Sequence, residues 1–269
     1  MHYDPVKNVF AKFIKSNTIL RKLFYALLNL FFLRSWYIRK ILNQLIIQIK
    51  SAEPKIFDAG TGFGQYSYFI TKRFPQVKIL AVDVKEDYIK EASEFFNKLN
   101  LKNVDFKIDD LKKINYQNEF DLILCVDVME HIDDDETVLK NFYNALRSGG
   151  SLIINTPSTF GGSDVHDEED QSFISEHFRN GYSKEDLSNK LNRAGFENVD
   201  GFYTYGFWGD KAWRIGIKYP MILLNKSLLF LIILPFYYFV VFPFFLLFNF
   251  LDTKTKIQTG TGLIVIAKK

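Results

Sequence analysis

Residues 57–64 read Phe-Asp-Ala-Gly-Thr-Gly-Phe-Gly, and nineteen residues beyond Gly64 the run Ile-Leu-Ala-Val ends in Asp83. Glycines at 60, 62 and 64 let the backbone turn sharply and approach a ligand with no Cβ in the way. An acid after the following strand can accept both hydroxyls of a ribose. This is the chemistry of a grip on a nucleoside. A dinucleotide fingerprint is spaced G-x-G-x-x-G and sets a pyrophosphate on a helix N-terminus. The spacing here is G-x-G-x-G, and Asp58 stands ahead of it. A carboxylate at that point repels a pyrophosphate but attracts an ammonium. The pattern argues against a nicotinamide oxidoreductase and predicts S-adenosylmethionine, whose methionine end carries such an ammonium.

Strands must end beneath these residues for them to act together. From residue 55 the pattern alternates: strand over 55–58, helix over 65–73, strand over 77–84, helix over 86–99 and strand over 104–109. Strands over 120–126 and 151–155 follow, with a helix over 136–146 between them, closed by Arg-Ser-Gly-Gly with Gly149 as the left-handed cap. Short apolar strands between helices predict a parallel sheet covered on both faces, with ligands at the carboxyl edge. Asp58, Asp83, Asp110 and Asp127 all fall at or just past such edges. Beyond a polar loop at 158–171, a helix over 184–193, a strand over 198–205 and a terminal strand over 261–269 are expected.

The ordered set Asp58-x-Gly60-x-Gly62-x-Gly64, Asp83, Asp109-Asp110, Phe120-Asp121-Leu122 and Leu146-Arg147-Ser148-Gly149-Gly150-Ser151 resembles the class I S-adenosylmethionine-dependent methyltransferases. The match covers about residues 55–205 and the last strand. It implies an α/β, Rossmann-like fold with a seven-stranded, mostly parallel sheet whose antiparallel last strand lies beside the fifth. It also implies that Asp58 and Gly60 hold the methionine end, and that Asp83, with Val84 next to it, holds the ribose hydroxyls. Asp110 or its neighbour Asp109, with the backbone of Leu111, would meet the adenine amino group. Two residues stay open: Asp109 could instead cap the segment that follows, and Gly64 could serve close helix packing.

Cys125-Val-Asp127-Val-Met-Glu130-His131 looks like the fourth-strand motif of methyltransferases that modify quinones and related small molecules, and Asp127 joins the cofactor set on that ground. Asp127, Glu130 and His131 are spaced so that one helical turn could gather them. Ordering of the loop by hydrogen bonds is expected ahead of a metal site. His177, in His-Phe-Arg-Asn-Gly-Tyr, resembles the segment that returns over the active site in small-molecule methyltransferases and is the first candidate for catalytic or acceptor contact. His166, in an acidic loop, is the second, and His131 is also a candidate.

With 34 basic and 31 acidic residues the total charge says little, but residues 1–52 carry nine cations against the single acid Asp4. Apolar residues repeat there at helical steps, so a basic amphipathic helical region, a surface helix or a lid over the cofactor, is expected over 5–50, with a packed helix pair as the alternative. Its cations suit anionic lipid headgroups. Residues 228–251 hold 24 consecutive residues without a charge, the length of a transmembrane helix. If the strands on either side share one sheet, the segment must leave and return on the same side, and two crossings need about 40 residues plus a turn. A shallow monotopic hairpin or in-plane element, broken or bent at Pro235 and Pro243, is therefore expected, with a greasy helix pair packed on the domain or forming a dimer interface as the alternative.

The domain reading is a helical region at 1–52, a methyltransferase domain at 53–221 and 252–269, and an apolar insertion at 222–251. Cys125 alone allows no internal disulfide, and the expected place is the cytoplasmic face of a membrane. The acceptor is expected to be a hydrophobic small molecule such as a lipid, quinone, polyene or isoprenoid-linked product, methylated on oxygen. The alternative is a membrane-anchored binding protein of the same fold without turnover. No nucleic-acid partner is expected, because the fourth strand lacks an Asn-Pro-Pro-Tyr type of sequence and the basic stretch is interleaved with bulky apolar residues.

Overall fold

The computed structural model describes residues 17–161 and 178–269. Its centre is a seven-stranded sheet of β1 (Lys55–Ala59), β2 (Lys78–Asp83), β3 (Val104–Ile108), β4 (Phe120–Val126), β5 (Leu146–Pro157), β6 (Glu197–Thr204) and β7 (Gly262–Lys268). The strand order is β3-β2-β1-β4-β5-β7-β6, with β7 antiparallel to both of its neighbours and the other pairs parallel. The class I resemblance implied this arrangement, including the last strand beside the fifth.

Both faces of the sheet are covered, which is why its central strand β4 buries apolar side chains on both sides. Along β4, Ile123 and Cys125 enter one buried cluster with Phe57, Phe142 and Leu152. Leu122 and Leu124 enter the other, with Ile56, Ile70 and Phe96. The helices are α1 (Thr18–Phe31) and α2 (Leu33–Gln48), then α3 (Gln65–Arg73), α4 (Glu86–Lys98), α5 (Asp135–Ala145) and α6 (Lys184–Ala194). Ser183 caps α6, accepting the Asp186 N–H at 3.0 Å, and Gly195 ends it with φ +109°.

The N-terminal stretch is a packed pair of helices, separated where Phe32 is extended (φ −94°, ψ 112°). Asn17 caps the first of them by accepting the N–H groups of Ile19 and Leu20. In the second, Ile38 and Leu42 are fully buried against the sheet, so this region is part of the core. Gly149 is not a helix cap: α5 stops at Ala145, β5 begins at once, and Gly149 takes φ +78° within its irregular start, donating its N–H to the Lys269 carbonyl at 2.7 Å. The pairing of β5 with β4 and the chain terminus takes these residues before the helix can close on them.

The apolar segment belongs to a longer helical excursion. It begins with α7 (Phe207–Trp213), runs through a π-helical turn (Arg214–Lys218) into α8 (Tyr219–Lys226), turns at Leu228–Ile232, and returns as α9 (Leu234–Asp252). The excursion thus starts well before residue 222. Pro235 sits in the first turn of α9 and does not interrupt it, and the helix runs on through Pro243. A proline in the first turn removes an N–H that has no intrahelical partner anyway. Because β6 and β7 are antiparallel neighbours, the excursion leaves and rejoins one edge of the sheet. β6 runs in the same sense as β5, so that edge is the carboxyl edge, where the glycine loop also lies.

At its base the hairpin is tied down firmly. The buried Asp252 accepts the N–H groups of Gly206 and Gly209 at 3.0 and 2.8 Å and the Tyr37 hydroxyl at 2.7 Å. Gly216 lets the Phe245 ring lie against the other arm, and Phe31 packs its ring on Tyr238, Phe242 and Phe245 at 5.3–6.2 Å.

Candidate active site

Beyond Ala59 the chain turns through Gly60, Gly62 and Gly64, with φ of +77°, +54° and +77°, a region that L side chains seldom enter. The Gly60 and Thr61 N–H groups both donate to the Val82 carbonyl, at 2.9 and 2.8 Å, which fixes the loop to the end of β2. The Gly62 N–H donates to one oxygen of Asp83 at 2.9 Å, and the Lys85 N–H to the other at the same distance. A cleft of about 700 Å³ opens over this loop.

Most of the candidates meet there: Asp58, Gly60, Gly62, Asp83, Val84, Asp109, Asp110, Leu111, Asp127 and His131 all line the cleft. Gly64 stands apart from the lining. A Cβ at that position would face the Phe96 ring at 3.3 Å and Ala92 at 3.6 Å, so its lack of a side chain lets α3 and α4 approach. His177 and His166 lie outside the described residues.

Asp58 is 4 % exposed, and one of its oxygens accepts the hydroxyls of Thr61 (2.7 Å) and Ser67 (2.6 Å). Burial raises its proton affinity, and the two hydroxyls pull part of the way back. Asp109 accepts from Lys107 Nζ at 2.7 Å and the Tyr116 hydroxyl at 3.1 Å, while Asp110 accepts the Lys112 N–H at 3.0 Å. The adjacent acids therefore line one wall with different partners.

Asp127, Glu130 and His131 do not gather on one turn. Asp127 takes φ +53°, and its carboxylate binds the Asn155 amide at 2.6 Å and the guanidinium of Arg34. Glu130 turns inward, 1 % exposed, and accepts the Thr156 hydroxyl at 3.1 Å. Burial pushes its carboxyl up to about 7. His131 lines the cleft. The cause is a short 3₁₀ turn over Met129–His131, which starts after Asp127 and so separates the three in direction. Among the described residues no group of three His, Cys, Asp or Glu is placed to hold a metal ion. Cys125 is fully buried, and burial pushes its thiol well up, which makes it inert packing.

Sequence reading offered the N-terminal stretch as a lid over the cofactor but did not single out which of its residues reach the cleft. Phe24 and Leu28 of α1 and Arg34 of α2 line the cleft. Arg21, also counted there as a headgroup-binding cation, is 4 % exposed: it donates to the Phe63 carbonyl of the glycine loop at 3.0 Å and to the Glu91 carbonyl at 3.1 Å. Tyr25 donates to the same Phe63 carbonyl. Two of the basic residues thus point into the protein, because the backbone carbonyls and carboxylates of the cleft rim need cations. The helical period of the stretch was a signal for a buried face, but nothing local marked which cation would turn inward.

A family model described as a methyltransferase domain matches residues 50–195. Over 122 residues the chain is 28% identical to the malonyl-acyl-carrier-protein O-methyltransferase of Priestia megaterium, covering 45% of this chain and 42% of that protein. The match thus spans about two fifths of that curated relative's length. Among solved structures it resembles Haemonchus contortus phosphoethanolamine N-methyltransferase 2 in complex with S-adenosyl-L-methionine, with TM-score 0.63, 16% identity, and coverage of 97% of this chain and 60% of that one. It also resembles a S-adenosylmethionine-dependent methyltransferase of Aquifex aeolicus, with TM-score 0.51, 22% identity, and coverage of 75% and 93%. At these identities the structural likeness establishes the fold.

Proposed function

The chain belongs to the class I S-adenosylmethionine-dependent methyltransferase family, and from that premise we propose that it transfers a methyl group to a hydrophobic small molecule resident in a membrane. The groups of the cleft suit the family's cofactor. A Cβ at Gly62 would meet no atom of the described residues within 4 Å, so the loop faces open space among them. The lining carboxylates Asp58, Asp83 and Asp110 match a cationic molecule bearing an ammonium, a ribose and an adenine. When bound, the cofactor supplies an electrophilic methyl on a sulfonium. The task of the chain is then to hold the acceptor in line with it and to keep water out. Phe24, Leu28 and Val128 give the cleft apolar wall for this purpose, and His131 is the titratable ring at its edge.

The observation that carries the acceptor class is the exposed hairpin beside this cleft. Of α9 only Phe245, Asn249 and Asp252 are buried, while Leu229, Ile232, Phe236 and Phe239 are 70–85 % exposed. A monomer in water rarely bears so large a contiguous apolar surface, and one of this kind marks a membrane or protein contact. Only one arm is apolar: Lys211, Arg214, Lys218 and Lys226 stud the other, so the pair is unsuited to two full crossings. Lys211, Lys218 and Lys254 lie 5.4–5.5 Å from the rings of Phe207, Trp213 and Phe250. That is how interfacial cations reach anionic headgroups while aromatic rings sit below them. This supports monotopic attachment, read here as on the cytoplasmic face, with the cleft opening at the edge from which the hairpin projects.

The test is incubation of the purified protein with methyl-labelled S-adenosylmethionine and a lipid extract of its host. Label in an organic-phase product is the expected result. Cofactor binding by calorimetry with no labelled product, across several extracts, would reject the acceptor class and leave a binding protein of the same fold.

A further inference from the structure

We propose that Arg34, brought to the cleft by the N-terminal helices, is a residue of the cofactor site: with Asp127 it receives the zwitterionic amino-acid end of S-adenosylmethionine, the guanidinium meeting the carboxylate. The assignment rests on the cofactor reading above and extends it to a residue outside every motif of the sequence.

Location comes first. A Cβ at Gly60 would run into the Val128 side chain, and Val128 directly follows Asp127. The Arg34–Asp127 pair therefore stands beside Gly60, at the methionine side of the glycine loop. Charge comes second. Among the described residues the lining holds six aspartates and three cations, Arg34, Lys85 and Lys112. Lys112 pairs with Asp133 at 3.0 Å on the adenine side, and Lys85 follows the ribose acid Asp83, with its amine over the Tyr88 ring. For an α-amino acid head, which carries one charge of each sign, Arg34 is the cation on the methionine side, and Asp58 and Asp127 are the anions.

Third, the guanidinium has donors to spare. It carries five N–H groups in a planar fork. Nη1 is committed to Asp127, whereas Nε is buried and has no acceptor among the described residues. A buried donor left unmade costs free energy, and a carboxylate lying along that edge of the fork removes the cost. Finally, the side chain is held before any ligand arrives. It stacks over the Phe32 ring at 5.0 Å, and its own backbone N–H donates to the Tyr205 hydroxyl at 3.1 Å.

A pair that only pinned the N-terminal helices to the sheet would affect every ligand alike. The experiment therefore titrates the intact detergent-solubilised protein by calorimetry with three probes: S-adenosylmethionine, decarboxylated S-adenosylmethionine and 5′-methylthioadenosine, which lacks the whole amino-acid end. Arg34→Gln is expected to weaken S-adenosylmethionine about 10- to 100-fold, the size of a lost charge-assisted hydrogen bond. The other two probes should change by less than about twofold, so that the cycle isolates the carboxylate. Arg34→Lys should recover part of the loss. Wild type should also prefer S-adenosylmethionine over its decarboxylated form, a comparison that needs no variant to fold. Equal weakening of all three probes, or none for S-adenosylmethionine, overturns the assignment. Wild-type protein that binds none of the three overturns the cofactor reading itself, which is a distinguishable failure.

Discussion

Replacing Phe236 and Phe239 together by Asn tests the membrane reading where it is most exposed. Their rings are 74 % and 85 % open to solvent, so the folded domain gives up little packing when they are removed. Fully burying such a side chain is worth roughly 1.5–3 kcal/mol. Scaled by about four fifths for the exposed fraction, each ring contributes about 1.2–2.4 kcal/mol on entering a bilayer, and the two together about 2.5–5 kcal/mol. That corresponds to between about two and three and a half orders of magnitude in partition coefficient. The assay is co-sedimentation with vesicles of mixed neutral and anionic lipid, with thermal unfolding in detergent to check that both proteins fold alike. Added salt should weaken binding only modestly, because the apolar term exceeds the contribution of the flanking lysines. Unchanged vesicle binding by a well-folded double variant would refute the reasoning, as would a wild-type protein that stays monomeric and in solution without detergent.

Two further outcomes follow from the site. Gly60→Ala should destabilise the protein by more than Gly62→Ala, since both positions have positive φ, costing about 1 kcal/mol each, but only a Cβ at Gly60 collides, with Val128. Urea unfolding of the two variants gives the comparison, and equal losses would mean that the collision is relieved. Glu130, whose carboxyl is raised from 4.5 to about 7 by burial, gives a pH signature. A raised folded-state value means its stabilising share is fully present below about pH 4.5 and is lost as pH rises through about 7. Glu130→Gln should therefore flatten the decline in unfolding free energy between pH 5 and 8, and a slope identical to wild type would show that the group does not titrate there.

The α/β order, the glycine loop and most of the cleft acids were legible in the sequence because they are local. A run of apolar residues followed by Asp-x-Gly-x-Gly codes a strand end and a turn, and each later Asp sits at the end of its own strand or within two residues past it. The return of the hairpin to the sheet was legible too, once the terminal strand was taken as a sheet member. Gly149 misled because a glycine with positive φ serves a helix cap and an irregular strand start equally well, and only the partner carbonyl of Lys269 separates them. Pro243 was expected to break or bend a helix, and the helix continues through it without a break.

By itself, then, the chain's order of residues determined a nucleoside grip on a parallel sheet and a charge-free stretch that had to leave and come back. Tertiary structure alone decided which side chains complete the cleft. Arg34 reaches Asp127 across 93 residues, and Tyr37 reaches Asp252 across 215. No periodicity in either segment encodes its partner. Such pairs form because an inward-facing carboxylate has to be met by whichever cation or hydrogen-bond donor the packed helices bring within reach, and that is settled only when the helices dock.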